Sequence, residues 1–118
     1  MANPETQLQQ RIRLSCSRGR ARLFRNNVGA LRDAQSGRLV RFGLQPGSGD
    51  LIGWRTVTIG PEHLGQQLAQ FISVEVKAAG QVRRARPEQL AWQRQVTAAG
   101  GLACIVDSED QAVECVDP

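Results

Sequence analysis

The chain has 118 residues, 41% hydrophobic and 22% charged, a length and balance suited to one compact domain with a modest core and too short for two. No apolar run approaches the roughly 20 residues needed to cross a bilayer, and the opening Met1-Ala2-Asn3-Pro4-Glu5 has no signal-peptide pattern, so the expected location is cytoplasmic. The formal charge of +4 and pI of about 9.8 come almost wholly from arginine, whose planar fork favours phosphate, and nucleic acid is the partner to expect.

Taken in chain order, Asn3 followed by Pro4 and Glu5 predicts a helix start: a capping side chain, proline at the first helical position and a carboxylate at the positive dipole end. The helix should run to about Ser15 with Leu8 and Ile12 as its apolar stripe. Glu5 lies seven positions before Ile12, about 20° away on the helical wheel, and is expected to point inward. Residues 21–27 read as a first strand, ended by a turn at Asn27-Val28-Gly29. Residues 38–44 read as a short strand or extended segment. Residues 45–49, Gln-Pro-Gly-Ser-Gly, are a loop whose glycines allow backbone to approach a ligand. Asp50 then opens a strand reaching about Ile59, and its place at a strand end suits a metal ligand better than mid-strand burial. Trp54 in that strand is expected to pack internally.

Residues 60–63 break the strand, and 64–70 fit either a helical turn or a hairpin arm. In 71–77 apolar Ile72, Val74 and Val76 alternate with Ser73, Glu75 and Lys77, the period-two pattern of a strand. The apolar set should anchor the strand in the core, leaving Glu75 and Lys77 together on the opposite face. Such a pair is ordinarily a solvated face. Lys77, however, is the one lysine among 15 basic residues, and unlike arginine it can approach neutrality when buried. Arg86-Pro87-Glu88-Gln89 opens a second helix with Leu90, Trp92 and Val96 on its buried side and Gly100-Gly101 as its stop. Residues 102–106 are a buried last strand, and 108–118 an acidic tail, with a short helix capped by Ser108 at its start.

Arginines cluster at 11–25 and 83–94 while acids gather after Cys104, which points to a one-sided basic surface. Cys16, Cys104 and Cys115 have no short metal-ligand spacing and an odd count, so neither a disulfide framework nor a zinc site is expected. His63, the single histidine, reads as a loop residue; paired-histidine zinc sites and histidine-based triads are excluded.

The order helix, strands, helix, strand implies an α/β domain with a mixed central sheet. Glu5, Arg25-Asn26-Asn27-Val28-Gly29-Ala30, Arg41-Phe42-Gly43, Gly47-Ser48-Gly49-Asp50-Leu51, Val74-Glu75-Val76-Lys77 and Pro87-Glu88-Gln89, in that order, resemble the virus-type replication-repair nuclease (VRR-Nuc) domain of the PD-(D/E)xK nucleases. The resemblance covers nearly the whole chain, 1–118. It implies a restriction-endonuclease-like core, a mixed central β-sheet flanked by helices. By the same resemblance Asp50 and Glu75 match the metal-binding acids, Lys77 the catalytic lysine, Glu5 the acid of the first helix and Gln89 the glutamine of the following helix. Gly49 stands where the family usually has proline.

The function implied is a DNA endonuclease dependent on Mg²⁺ or Mn²⁺, selective for junctions or branches, leaving 5′-phosphate and 3′-hydroxyl ends and serving DNA repair in a bacterial or phage-infected cell. The expected ligands are Asp50, Glu75 and the Val76 carbonyl, with Glu5 reaching the ion through water. Hard oxygen donors of this kind suit these cations. Arg25, Asn26, Asn27, Arg83, Arg84 and Arg86 are the candidate DNA-binding residues. Stand-alone members of the family resemble junction resolvases, so a homodimer is expected, with its interface among residues 42–44, Trp54 and 64–71. The competing reading is a non-catalytic nucleic-acid-binding module on the same fold.

Overall fold

The computed structural model describes residues 3–118 and is of mixed α/β class, with three α-helices and six short strands. It divides into two compact units, the first ending at Arg55 and the second spanning Thr56–Pro118.

The first unit begins with α1 (Pro4–Cys16). Asn3 caps it as expected, its Oδ1 accepting the Glu5 N–H at 2.8 Å. The covered side of α1 is Thr6, Gln9 and Arg13, not the Leu8/Ile12 stripe. Glu5, expected to point inward, is exposed, because it shares the Ile12 side of the helix, about 100° round from the covered one. β1 (Ala21–Arg25) pairs antiparallel with β4 (Leu51–Arg55), from Ala21 opposite Arg55 to Arg25 opposite Leu51. Phe24 and Trp54 pack across this pair with ring centroids 5.3 Å apart, which places Trp54 in internal packing.

Between them lies a hairpin that the sequence pattern hides. β2 (Gly29–Arg32) pairs antiparallel with β3 (Leu39–Phe42), so Gly29 opens a strand where a turn was expected. Gly29 faces Phe42, whose ring occupies the space a side chain would take. Asp33 organises the connecting loop: its carboxylate accepts from the Gln35 N–H and the Ser36 hydroxyl, both at 2.9 Å. Those bonds hold its pKa below the ordinary value.

The expected strand 51–59 stops at Arg55. Residues 56–59 have no ladder, and the Thr56 hydroxyl instead donates to the Ala99 carbonyl at 3.0 Å. In the second unit a 3-10 turn (Pro61–His63) precedes β5 (Ile72–Val76), and the His63 Nδ1 accepts the Gly60 N–H at 3.0 Å. Residues 64–70 form neither helix nor strand. A second 3-10 turn (Val82–Arg84) leads into α2 (Pro87–Ala98), then β6 (Leu102–Val106) and α3 (Glu109–Val116).

β5 and β6 run parallel, Ile72 opposite Leu102 and Val76 opposite Val106. Parallel neighbours need a crossover, and α2 supplies it. Its covered face is Gln89, Trp92, Gln93 and Val96, with Val96 only 1% exposed, whereas Leu90 is exposed. Burying a valine that completely is worth about 1.5 kcal/mol or more. The helix ends in a Schellman motif: Gly101 N–H bonds Val96 O and Gly100 N–H bonds Thr97 O, with Gly100 at φ +99°. Ser108 caps α3 by accepting the Gln111 N–H, so the expected acidic tail is helix as far as Val116.

Among the described residues no helix is long and apolar enough to cross a membrane.

Candidate active site

In the second unit β5 alternates as expected, yet the faces are reversed. Val76 is 71% exposed, and Ile72 and Val74 are also exposed, while Ser73, Glu75 and Lys77 are half-buried. The polar residues win the covered face because α2 offers them partners. The Trp92 indole N–H donates to Ser73 Oγ at 2.8 Å, and one turn earlier the Gln89 amide donates to Glu75 Oε1. A covered polar face is tolerable only when bonded in this way.

Gln89 is held from its other end as well. It is the third residue of α2, and its Oε1 accepts the N–H of Arg86 at 2.9 Å, the back half of a capping box. With the oxygen committed there, the amide NH₂ is the group left to face Glu75, which is acceptor-only when ionised. Lys77 lies one pleat beyond Glu75, with Nζ 3.7 Å from the same Oε1. Its side chain is 17% exposed against 42% for Glu75. An ion pair this open to water is worth on the order of 1 kcal/mol or less, so its consequence is geometric more than energetic. Glu75 Oε2 makes no hydrogen bond among the described residues.

Three of the residues singled out by sequence, Glu75, Lys77 and Gln89, thus form one cluster. Arg83, Arg84 and Arg86 are exposed on the connection from β5 to α2, on the carboxyl-terminal side of the parallel pair, where open α/β arrangements gather ligands. Arg86 also lies 3.4 Å from Glu88.

Asp50 and Glu5 belong to the first unit. Asp50 directly precedes β4; its backbone carbonyl accepts the Asn26 N–H at 2.8 Å, and its carboxylate is exposed without a hydrogen bond or ion pair among the described residues. The Glu5 carboxylate is likewise exposed and unbonded.

Asn26 staples the intervening loop. Its amide donates to Ser48 Oγ at 2.7 Å and to Gly49 O at 2.9 Å, and its Oδ1 accepts the Leu44 N–H at 3.0 Å. The side chain is spent on presenting the loop that carries Asp50. Arg25 donates to Asn27 Oδ1 at 3.2 Å and also borders a cleft of about 460 Å³ beside Thr6, Gln9 and Arg11 of α1.

Sequence reasoning missed Ser48, Ser73 and Trp92 as positioning residues. A polar residue in phase with Glu75 was the available signal for Ser73. Within neither unit do three His, Cys, Asp or Glu side chains converge as a metal cluster among the described residues. No family model, curated protein or solved structure matches the chain.

Proposed function

We propose that this chain is a Mg²⁺- or Mn²⁺-dependent DNA endonuclease with a restriction-endonuclease-like core and mixed central sheet, acting on junction or branched DNA as a homodimer. The observation that carries the reading is the cluster on β5 and α2: a carboxylate, an ammonium one pleat on, and a glutamine that orients the carboxylate. The ion pair contributes little stability, and the three residues follow the order of the VRR-Nuc motifs, which supports the functional reading over a purely structural one.

The donor chemistry fits a hard cation. Among the described residues the Asp50 carboxylate has no partner and Glu75 Oε2 is unbonded, and oxygen donors of this type suit Mg²⁺ and Mn²⁺. Glu75 and the Val76 carbonyl of the second unit would contribute ligands to the ion, and the resemblance assigns Asp50 as a further ligand and Glu5 a role through water. Bound there, the cation supplies Lewis-acid polarisation of the phosphate and activation of water. Gln89 holds Glu75 in place, and the Lys77 ammonium opposes charge developing on the phosphate oxygens. Arg25, Arg83, Arg84 and Arg86 contact the phosphate backbone and position the DNA without reading bases.

The test uses labelled four-way junction, flap and duplex DNA with Mg²⁺, Mn²⁺ or EDTA. Cleavage that needs metal and disappears in Glu75→Gln and Asp50→Asn, with DNA binding retained, is the expected result. Binding without cleavage under every metal condition assigns the chain to the non-catalytic module instead.

A further inference from the structure

The second unit carries a pair of thiols that their spacing in sequence does not advertise. Cys104 lies opposite Val74 in the β5/β6 register, and side chains of adjacent strand positions alternate. It therefore shares the face of Ile72, Val74 and Val76, away from α2, which bonds Ser73, Glu75 and the Ala103 carbonyl. That face of β6 is the one α3 packs on: its half-buried residues are Ala112, Cys115 and Val116, one side of the helix. The register of the strand and the phase of the helix set Cys115 on the side of α3 that covers the face carrying Cys104. Both cysteines are free and half-exposed, so small reagents reach them, while Cys16 is exposed in the other unit.

We propose that Cys104 and Cys115 form a reversible disulfide site that locks α3 onto β6, closed by thiol–disulfide exchange with a low-molecular-weight disulfide. Burial, then the neighbouring Cys115, pushes the Cys104 thiol up to about 11, which disfavours Cys104 as the first nucleophile and leaves that step to Cys115. Its thiolate attacks one sulfur of the reagent disulfide RSSR, forming a protein–SR bond and releasing RS⁻, which takes up the proton Cys115 gave to solvent. Cys104 then gives its proton to solvent, attacks the Cys115 sulfur and expels the second RS⁻, which takes that proton up. Two protein thiols are oxidised to one disulfide and RSSR is reduced to two RSH.

The closed bridge has a route to the rest of the unit. Asp107, between β6 and α3, accepts the Gly80 N–H at 2.8 Å and donates its own N–H to Gln111. Bridging α3 to β6 brackets this junction and restrains the start of the segment that leads to Arg83 and Arg84.

The full chain is equilibrated with oxidised glutathione, remaining thiols are alkylated, and the protein is digested. No lysine or arginine follows Arg94, so the two cysteines are separated by cleavage at one of the acids between them, Asp107, Glu109, Asp110 or Glu114. The expected result is a Cys104–Cys115 cross-linked peptide pair, Cys16 alkylated or carrying glutathione but in no cross-link, and reversal by dithiothreitol. Cys16→Ser should leave the cross-link intact, and Cys115→Ser should give no internal bridge. Three alkylated thiols, glutathione adducts without an internal bridge, or a cross-link through Cys16 would each overturn the proposal. The peptide map of the unsubstituted chain decides the matter even if Cys115→Ser folds poorly.

Discussion

Gln89 makes two hydrogen bonds whose directions depend on one another: its oxygen on the Arg86 N–H fixes its amide toward Glu75. Gln89→Leu keeps the volume and removes both. The capping loss should cost about 1 kcal/mol of stability, visible in urea unfolding. If Gln89 positions a metal-binding carboxylate, the Mg²⁺ concentration for half-maximal cleavage should rise several-fold beyond what that stability loss explains. An unchanged Mg²⁺ profile would leave Gln89 as a cap alone. Lys77 poses a sharper question, since Lys77→Arg keeps the charge but swaps a compact ammonium for a larger planar group. Half-buried beside Glu75, it should lose cleavage by 10-fold or more, as an order of magnitude, with stability changed by about 0.5–1 kcal/mol. A near-wild-type rate would return Lys77 to a solvated face.

At the scale of elements, β1 and β4 approach so closely at Gly53 that a side-chain carbon there would collide with the backbone carbonyl of Arg22. Backbone cannot move aside as a flexible side chain can, so Gly53→Ala should destabilise the first unit by about 1–3 kcal/mol, read as a lowered urea midpoint. The β2/β3 hairpin has a pH signature instead. Asp33 is held below its ordinary pKa by the Gln35 N–H first and the Ser36 hydroxyl next. A depressed carboxylate adds stability that is present above its unfolded pKa and lost as pH falls through the lower folded value. Amide exchange at Gln35 should therefore stay protected at mildly acidic pH and rise only below the ordinary aspartate range. Protection already lost well above that range would contradict the loop geometry.

For the whole molecule, net charge of +4 and arginines on the exposed β5–α2 connection favour a polyanionic partner whose binding weakens with salt. A homodimer would offer two sites related by a twofold axis, as paired incision of a junction requires. Light scattering at micromolar concentration should give twice the 12.9 kDa chain mass; a monomeric mass with full junction cleavage would reject the dimer.

The residues themselves determined what is local. Asn3-Pro4, Arg86-Pro87 and Ser108 mark helix starts, Gly100-Gly101 a helix end, and the alternation at 72–76 a strand, because each acts through backbone groups within a few positions. The joint assignment of Asp50, Glu75, Lys77 and Gln89 to one site rests on a resemblance and stands as a proposal. Tertiary structure decided the rest. Alternation defines two faces of β5 without saying which is covered, and the choice fell to Trp92 and Gln89 on α2, which bond Ser73 and Glu75. Gly29 looks like a turn residue until Phe42, 13 positions on, lies across it. Cys104 and Cys115 become a pair only when the parallel register of β5/β6 and the phase of α3 set them face to face, a relation between elements that no local spacing encodes.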